Sequence, residues 1–462
     1  MVRGDTWVEV DMTRAETNAS GALGTEAGSI PFWRLFFVAM SGAAIEWYDF
    51  FVFATASALV FGPLFFPEQV PLVGTLLAFS TFATGFVARP LGGIVFGYFG
   101  DKVGRKRAVV VALVMMGAAT TLIGLLPTAA AIGVLAPLLL VTLRIAQGLA
   151  LGGQAGGLVL IATENAPRNR RGFYGSLAMA GVPVGLILAN GGFLLVAALL
   201  PQEQFQAWGW RVPFLLSVFL IGVALYVQFR LEETRSFQKV ETSHAEARNP
   251  LISAIRNYPK EVLLTAGTVL GPQTIWYLLF VYTLSYGTDV LGLTNNTILA
   301  SVLVSQVLSA VLLVGFGRLS DNVGRRRVFM SGMLLTILWA FPFFLLLDTS
   351  LLALVLVALL VGQLFVSMTM GPLMTMISEQ FGTRVRYSGV SLGYQLAAVL
   401  SGFAPLISTA LFAATGTSLW LSVYVVVVGV VSFVATVLIA ETYQGDMDEI
   451  GPRERRFASE SE

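Results

Sequence analysis

The sequence predicts an all-α polytopic membrane protein whose twelve transmembrane helices form two pseudo-symmetric six-helix bundles. Three observations predict it. Of 462 residues, 56% are hydrophobic and only 12% charged, about half the charged share of a soluble domain. One turn occurs twice, 220 positions apart, as Gly97-Tyr98-Phe99-Gly100-Asp101-Lys102-Val103-Gly104-Arg105-Lys106-Arg107 and Gly317-Arg318-Leu319-Ser320-Asp321-Asn322-Val323-Gly324-Arg325-Arg326-Arg327; a fixed internal period sets the architecture. The longest internal polar stretch, 231–260, then divides the apolar runs six from six.

Crossing the hydrocarbon core takes roughly 20 apolar residues in a helix. Runs of that kind cover approximately 34–62, 72–99, 108–126, 132–163, 173–200 and 211–230, then 261–288, 297–317, 328–347, 351–377, 387–412 and 418–440. The expected organisation is a tail 1–33, a first bundle 34–230, a linker 231–260, a second bundle 261–441 and a tail 442–462. The first 29 residues lack the basic start and short apolar core of a cleaved signal, and a disordered cytoplasmic tail is expected there. Lys and Arg crowd the tails, the two turns, the 230–260 segment and the segments at Arg168–Arg171 and Arg384–Arg386, whereas the opposite loops hold only Arg211. Basic residues stay on the cytoplasmic side during insertion, so both termini are expected in the cytoplasm of a cell (inner) membrane protein.

The repeated turn has a physical reading of its own. Gly97 and Gly317 allow close helix approach, Gly104 and Gly324 turn without a Cβ penalty, and the basic residues beginning at Arg105 and Arg325 suit an anionic leaflet. Asp101 and Asp321 are placed to meet a neighbouring helix N-terminus, or an arginine across the interface between the halves. Such contacts would form when the cytoplasmic side is shut and break when it opens. A plain topology anchor accounts for the basic residues but for neither the Asp nor the Gly.

Ionisable residues inside a span are costly and so are functional candidates. The first half holds Glu46, Asp49, Arg89 and Arg144, and the second half holds none at comparable depth. Glu46 stands 12 residues into its span (46 − 34) and Arg89 stands 12 before Asp101 (101 − 89), so both sit roughly 18 Å in. Glu46 and Asp49 share a face. Two carboxylates so close in a low-dielectric site do not both stay ionised unless Arg89 compensates, which makes the group a proton carrier; a static Glu46–Arg89 pair joining two helices is the other reading. Arg144 has no acid near it in its own span, and a ligand, a carboxylate of the first span or cavity water must satisfy it. Gln147 is its weaker companion. Gly148, Gly152, Gly153, Gly156 and Gly157 read as a close-packing surface, not a phosphate loop. In the second half Gln273 and Tyr277 lie about a turn apart beside Gly271-Pro272, and interrupted helices often line transporter sites; interface-belt positions are the ordinary alternative for Tyr282 and Tyr286.

Some function classes are excluded. There is no cysteine and one histidine, His244, in the polar linker, which leaves no Cys/His or Ser/His/Asp constellation and no metal site. No cofactor motif is present, and a net charge of +1 argues against a nucleic-acid partner. The expected partners are a small organic solute, protons and the bilayer, with a monomer as the working unit.

The chain resembles the major facilitator superfamily, whose signature is this Gly-x-x-x-Asp-x-x-Gly-Arg turn, and within it the metabolite:proton symporters, which include bacterial shikimate, α-ketoglutarate, citrate and proline/betaine transporters. Ile45-Glu46-Trp47-Tyr48-Asp49-Phe50, Ala88-Arg89-Pro90-Leu91-Gly92-Gly93, Arg144-Ile145-Ala146-Gln147-Gly148 and Trp208-Gly209-Trp210-Arg211-Val212-Pro213-Phe214 carry that likeness. Arg386-Tyr387-Ser388-Gly389 with Gly393-Tyr394-Gln395 is similar to the shikimate-type members and adds Tyr394 and Gln395 to the solute-contacting candidates. The resemblance implies alternating access around a central cavity, places the Arg144–Gln147 element beside that cavity and links it to proton transfer. Relatives commonly carry Gly-Gly-Glu where this chain has Gly152-Gly153-Gln154, so coupling stoichiometry is open at Gln154. A carboxylate substrate, held by Arg89 and Arg144, a zwitterion such as proline or betaine, and an uncoupled facilitator or exporter are the alternatives.

Overall fold

The computed structural model describes residues 32–103, 105–153, 166–231, 256–382 and 386–441. Gly104 and Gln154 lie outside the described residues, as do the side chains of Glu46, Asp101 and Arg105. Twelve long helices run through the described residues: α1 (Phe32–Leu59), α2 (Pro71–Val103), α3 (Arg105–Leu125), α4 (Leu135–Gly153), α5 (Arg171–Leu199) and α6 (Arg211–Leu231) form the first set. The second set is α7 (Pro259–Val290), α8 (Asn295–Val323), α9 (Arg325–Leu347), α10 (Leu352–Ser378), α11 (Arg386–Gly402, continuing as Ala404–Thr415) and α12 (Leu419–Leu438). Among the described residues nine helices are long and apolar enough to cross a membrane.

Local chemistry sets the ends of these elements. Pro259 stands at the first turn of α7, where its missing N–H costs nothing. The Thr294 hydroxyl caps α8 by accepting from the Thr297 amide at 3.3 Å. Arg211, the basic residue on the otherwise acidic side, donates to the carbonyls of Gly124 (3.1 Å) and Leu126 (2.7 Å), and so closes the end of α3.

Two expectations need correction. The repeated turn is mostly helix: α2 runs on to Val103 and α8 to Val323, so Asp321 sits inside a last helical turn and the reversal is left to Gly324 at φ +104°. Nothing before Gly324 breaks a helix, and only glycine enters that backbone region cheaply. The helix also does not end at Gly271-Pro272, since Pro272 lies inside α7. The disturbance is subtler. The Ser432 hydroxyl of α12 accepts from the Gly271 amide (2.6 Å) and donates to the Gly267 carbonyl (2.6 Å), the two groups that would pair in an undisturbed ladder. Further along, α7 widens twice into π-helix, at Leu278–Tyr282 and Tyr286–Val290.

Packing inside the first half depends on glycine. A Cβ on Gly92 would stand 2.7 Å from Leu149 Cα, one on Gly148 2.9 Å from the Ala88 Cβ, and one on Gly152 2.8 Å from the Gly93 nitrogen. The expected close-packing surface of α4 thus lies against α2; Gly156 and Gly157 are outside the described residues. Between the halves, α5 packs on α8 and α10, and α2 packs on α11.

Candidate functional site

A cavity lies between the halves, lined by Trp47 of α1, Gln273, Trp276 and Tyr277 of α7, Gln363 of α10 and Tyr394 of α11, among others. Three of the expected solute contacts, Gln273, Tyr277 and Tyr394, are on its wall; Arg144, Gln147 and Gln395 are not among the lining residues. Aromatic rings explain the separation. Trp47 and Phe51 of α1 meet Trp276 at ring distances of 6.3 and 5.0 Å, and Tyr277 packs on Phe50, Phe82 and Phe86 at 6.1, 6.2 and 5.5 Å. Arg144 stands behind this layer.

The Arg144 guanidinium is enclosed by first-half groups. Its central carbon lies 4.3 Å from the Phe53 ring centre, 4.9 Å from Phe82 and 5.1 Å from Phe50, a cation–π cage that is strong where water is excluded. Its Nε donates to the Phe82 carbonyl (3.4 Å) and Nη1 to Gln147 Oε1 (3.1 Å). Gln147 in turn donates to Thr120 Oγ1 (2.8 Å), whose hydroxyl donates to the Met116 carbonyl (2.9 Å). Among the described residues, the groups around Arg144 are rings, a carbonyl and Gln147. Room for it comes from Gly85, where a Cβ would approach Arg144 Nε to 2.5 Å.

Asp49 is 3% exposed, and its Oδ1 has no hydrogen-bond partner among the described residues. Its neighbours anchor α1 elsewhere: the Tyr48 hydroxyl donates to the Pro213 carbonyl at 2.6 Å and Thr55 donates to Asn190 Oδ1 at 2.5 Å. Arg89 is also buried, with Nε unpartnered among the described residues and its guanidinium 5.8 Å from the Phe86 ring centre. The backbone at Glu46 is within α1, while its side chain is outside the described ones.

On the face of the repeated turn, the halves are clamped. Asp321 of α8 accepts from the amides of Gly172 (2.7 Å, Oδ1) and Phe173 (2.9 Å, Oδ2), two of the orphan donors at the start of α5. Arg325, 1% exposed, lies 3.6 Å from Asp321 and also pairs with Glu379 of α10. The Thr375 hydroxyl of α10 donates to the Arg171 carbonyl at 3.3 Å. Gly317 makes the fit possible: a Cβ there would come 2.7 Å from the Gly172 carbonyl, and one on Gly371 would come 2.8 Å from the Gly317 nitrogen. On the opposite face, the Thr75 hydroxyl at the start of α2 donates to Asp289 Oδ2 at the end of α7 (2.8 Å). There Tyr286 donates to Asp348 Oδ1 (2.5 Å) and stacks beside Tyr282 (5.6 Å); both tyrosines are 3% exposed, so they are packed inside and not in an interface belt.

Residues 50–402, well over half of the chain, match the family described as the Major Facilitator Superfamily. The chain belongs to the Major Facilitator Superfamily. It is 41% identical to the shikimate transporter of Escherichia coli (strain K12) over 375 residues, which cover 80% of this chain and 86% of that protein. It is 31% identical to the proline/betaine transporter of the same strain over 412 residues, 87% of this chain and 82% of that one. Among solved structures, a proton:xylose symporter of the same superfamily, bound to 6-bromo-6-deoxy-D-glucose, matches with a TM-score of 0.69 over 90% of this chain and 98% of that one; at 16% identity the likeness is one of fold. As a Major Facilitator Superfamily member the chain is a multi-pass membrane transporter of small solutes and not an enzyme.

Sequence reasoning within this superfamily missed Phe50, Phe53 and Phe82 as a cage, Gly85 as its floor, and Thr75 and Asp289 as partners. Phenylalanine in an apolar span gives no signal of its own. The internal period offered one for the cavity wall: Ser309, which lines it, stands where Arg89 stands in the first half (309 − 89 = 220).

Proposed function

We propose that this chain imports a small organic carboxylate by proton symport, the two halves rocking around the central cavity. The observation that carries the proposal is Asp49, a nearly fully buried carboxylate whose Oδ1 has no partner among the described residues. An ionised carboxylate without a counter-charge costs several kcal/mol when sealed from water, so Asp49 crosses the closed state with its proton and gives it up when the cavity opens. Glu46 and Arg89 belong to the same proton-coupling group. Arg144, with Gln147 and Gln154, senses the bound anion once the Phe50–Tyr277 layer parts, while Gln273, Tyr277, Tyr394 and Gln395 contact the solute. The face of the repeated turn is cytoplasmic, as are both termini. Gly317, Asp321, Gly324 and Arg325 shut it at α5, and Gly97, Asp101, Gly104 and Arg105 belong to the same gate. The protein works as a monomer.

The carboxylate reading is supported by the two buried arginines and by the 41% identical shikimate transporter. A zwitterion such as proline or betaine has its own support: the 31% identical relative and an aromatic wall of Trp47, Trp276, Tyr277 and Tyr394, which suits a cationic nitrogen.

The test is uptake of labelled carboxylates into proteoliposomes with and without an inward proton gradient. Wild type should accumulate one of them only with the gradient. Asp49→Asn should keep solute exchange at equilibrium and lose gradient-driven accumulation. Equilibration indifferent to the gradient in wild type would sink symport and leave the fold untouched.

A further inference from the structure

Three neutral groups on the cavity wall carry information that its shape does not. Gln273, Tyr277 and Gln363 line the cavity and are 3%, 0% and 1% exposed. Each keeps one polar atom with no hydrogen-bond partner among the described residues: Nε2 of Gln273, the Tyr277 hydroxyl and Oε1 of Gln363. The far end of each amide is held in place. The Ser401 hydroxyl of α11 donates to Gln273 Oε1 at 3.1 Å, and Gln363 Nε2 donates to Ser367 Oγ at 2.8 Å. In this arrangement Gln273 presents donors, Gln363 presents an acceptor, and Tyr277 can do either.

A buried polar atom without a partner costs about 1–3 kcal/mol, and native proteins tolerate few of them away from sites where something else completes the bond. Here three residues that line one cavity each carry such an atom. Between them the wall is mostly aromatic and aliphatic, and none of the described residues that line it carries a charge.

We propose that Gln273, Tyr277 and Gln363 form a hydroxyl-recognising subsite, and that the solute is a compact acid bearing hydroxyl groups on a ring. The proposal rests on the transport reading above and narrows it. A hydroxyl donates and accepts at once, so one hydroxyl can donate to Gln363 Oε1 while another accepts from Gln273 Nε2. The apolar face of a carbocycle would lie against Trp47 and Trp276 once the cavity opens. A quaternary-ammonium zwitterion fails on the same wall: it has no N–H or O–H group, would cover Gln363 Oε1 with methyl groups, and would leave that acceptor desolvated and unpaired. Sites built to bond a substrate hydroxyl reject the analogue that lacks it far more strongly than apolar pockets reject an extra methylene.

The experiment measures competition in the reconstituted full chain, with shikimate as the hydroxylated probe, cyclohexenecarboxylate as the same ring without hydroxyls, and glycine betaine. Wild type should prefer shikimate to cyclohexenecarboxylate by about 100-fold, with betaine no better than the unhydroxylated acid. Gln363→Met, which keeps the length and removes the acceptor, should weaken shikimate competition at least about tenfold more than cyclohexenecarboxylate competition. Gln363→Glu, which keeps an acceptor, should restore part of the preference. Equal competition by the two ring acids in wild type, strong competition by betaine, or an equal loss for both acids in Gln363→Met would each overturn the subsite. The two readings fail separately: shikimate exchange without any response to the proton gradient removes symport and keeps the subsite, whereas gradient-driven uptake blind to hydroxyl groups removes the subsite and keeps symport.

Discussion

In the first half, Arg144 lies 4.3–5.1 Å from three phenylalanine rings and donates to the Phe82 carbonyl and Gln147. In the second half, Gln273, Tyr277 and Gln363 keep polar atoms unspent on the cavity wall. The two halves share a backbone plan, yet one conceals charge and the other displays neutral hydrogen-bonding groups. Positions related by the 220-residue period make the divergence concrete: Arg89 faces Ser309 in register, and Phe86 faces Gln306 (306 − 86 = 220). Duplication therefore copied the scaffold while side chains divided the labour. On the function proposed above, charge and proton handling belong to α1, α2 and α4, and solute recognition to α7 and α10.

The strongest way to break this comparison is to remove the concealed charge. Arg144→Gln should lower uptake by about 100-fold, because a caged, water-excluded guanidinium contributes roughly 2 kcal/mol or more through the rings alone, beside its hydrogen bonds. The check is initial uptake rate beside a thermal unfolding curve of the purified variant. Uptake within a few-fold of wild type would mean that the first half conceals a charge it does not use.

A second prediction concerns what joins the halves. Asp321→Asn exchanges a carboxylate that accepts two backbone amides for a group with one acceptor, at a cost of about 1.5–3 kcal/mol. The closed state of that face should lose at least tenfold in population relative to the open one. The chain has no cysteine, so a single thiol introduced at the start of α5 reports the change as faster labelling from the side of the repeated turn. Unchanged labelling would reduce the clamp to a static brace. More finely, Gly85→Ala should slow uptake roughly fivefold by pressing on Arg144. Its counterpart Ser305→Ala (305 − 85 = 220), where the hydroxyl only donates to Val302 of its own helix, should stay within about twofold. Equal effects at the two positions would erase the asymmetry.

Hydropathy and the repeated turn made the architecture legible, because span length and a fixed period are properties of the chain itself. Asp321 was legible too, as a carboxylate at a helix end looking for a helix start. The cage around Arg144 was not: Phe50, Phe53 and Phe82 come from two helices, and nothing in an apolar run marks which phenylalanines converge. The expected break at Gly271-Pro272 shows the same limit. Proline predicts a lost bond, but the hydroxyl that intervenes, Ser432, lies 161 residues away. Gln363 was visible as a polar residue in a span, but only its fixed Nε2 and free Oε1 tell which end meets the cavity.

The smallest effect is expected at the face opposite the clamp. There the described link between the halves is one hydrogen bond, from the Thr75 hydroxyl to Asp289 Oδ2 at 2.8 Å, against the paired amides and the Thr375 contact on the other side. Thr75→Val keeps the shape and removes the donor, while Asp289 retains the Thr288 hydroxyl at 3.1 Å. The loss should be about 1 kcal/mol or less, which raises the accessibility of a single thiol near the end of α7 by roughly two- to fivefold. Uptake should change by less than that. If Thr75→Val instead exposed the Asp321 face, or moved both faces equally, the two ends of the interface would be one coupled unit and not a strong clamp opposed by a weak latch.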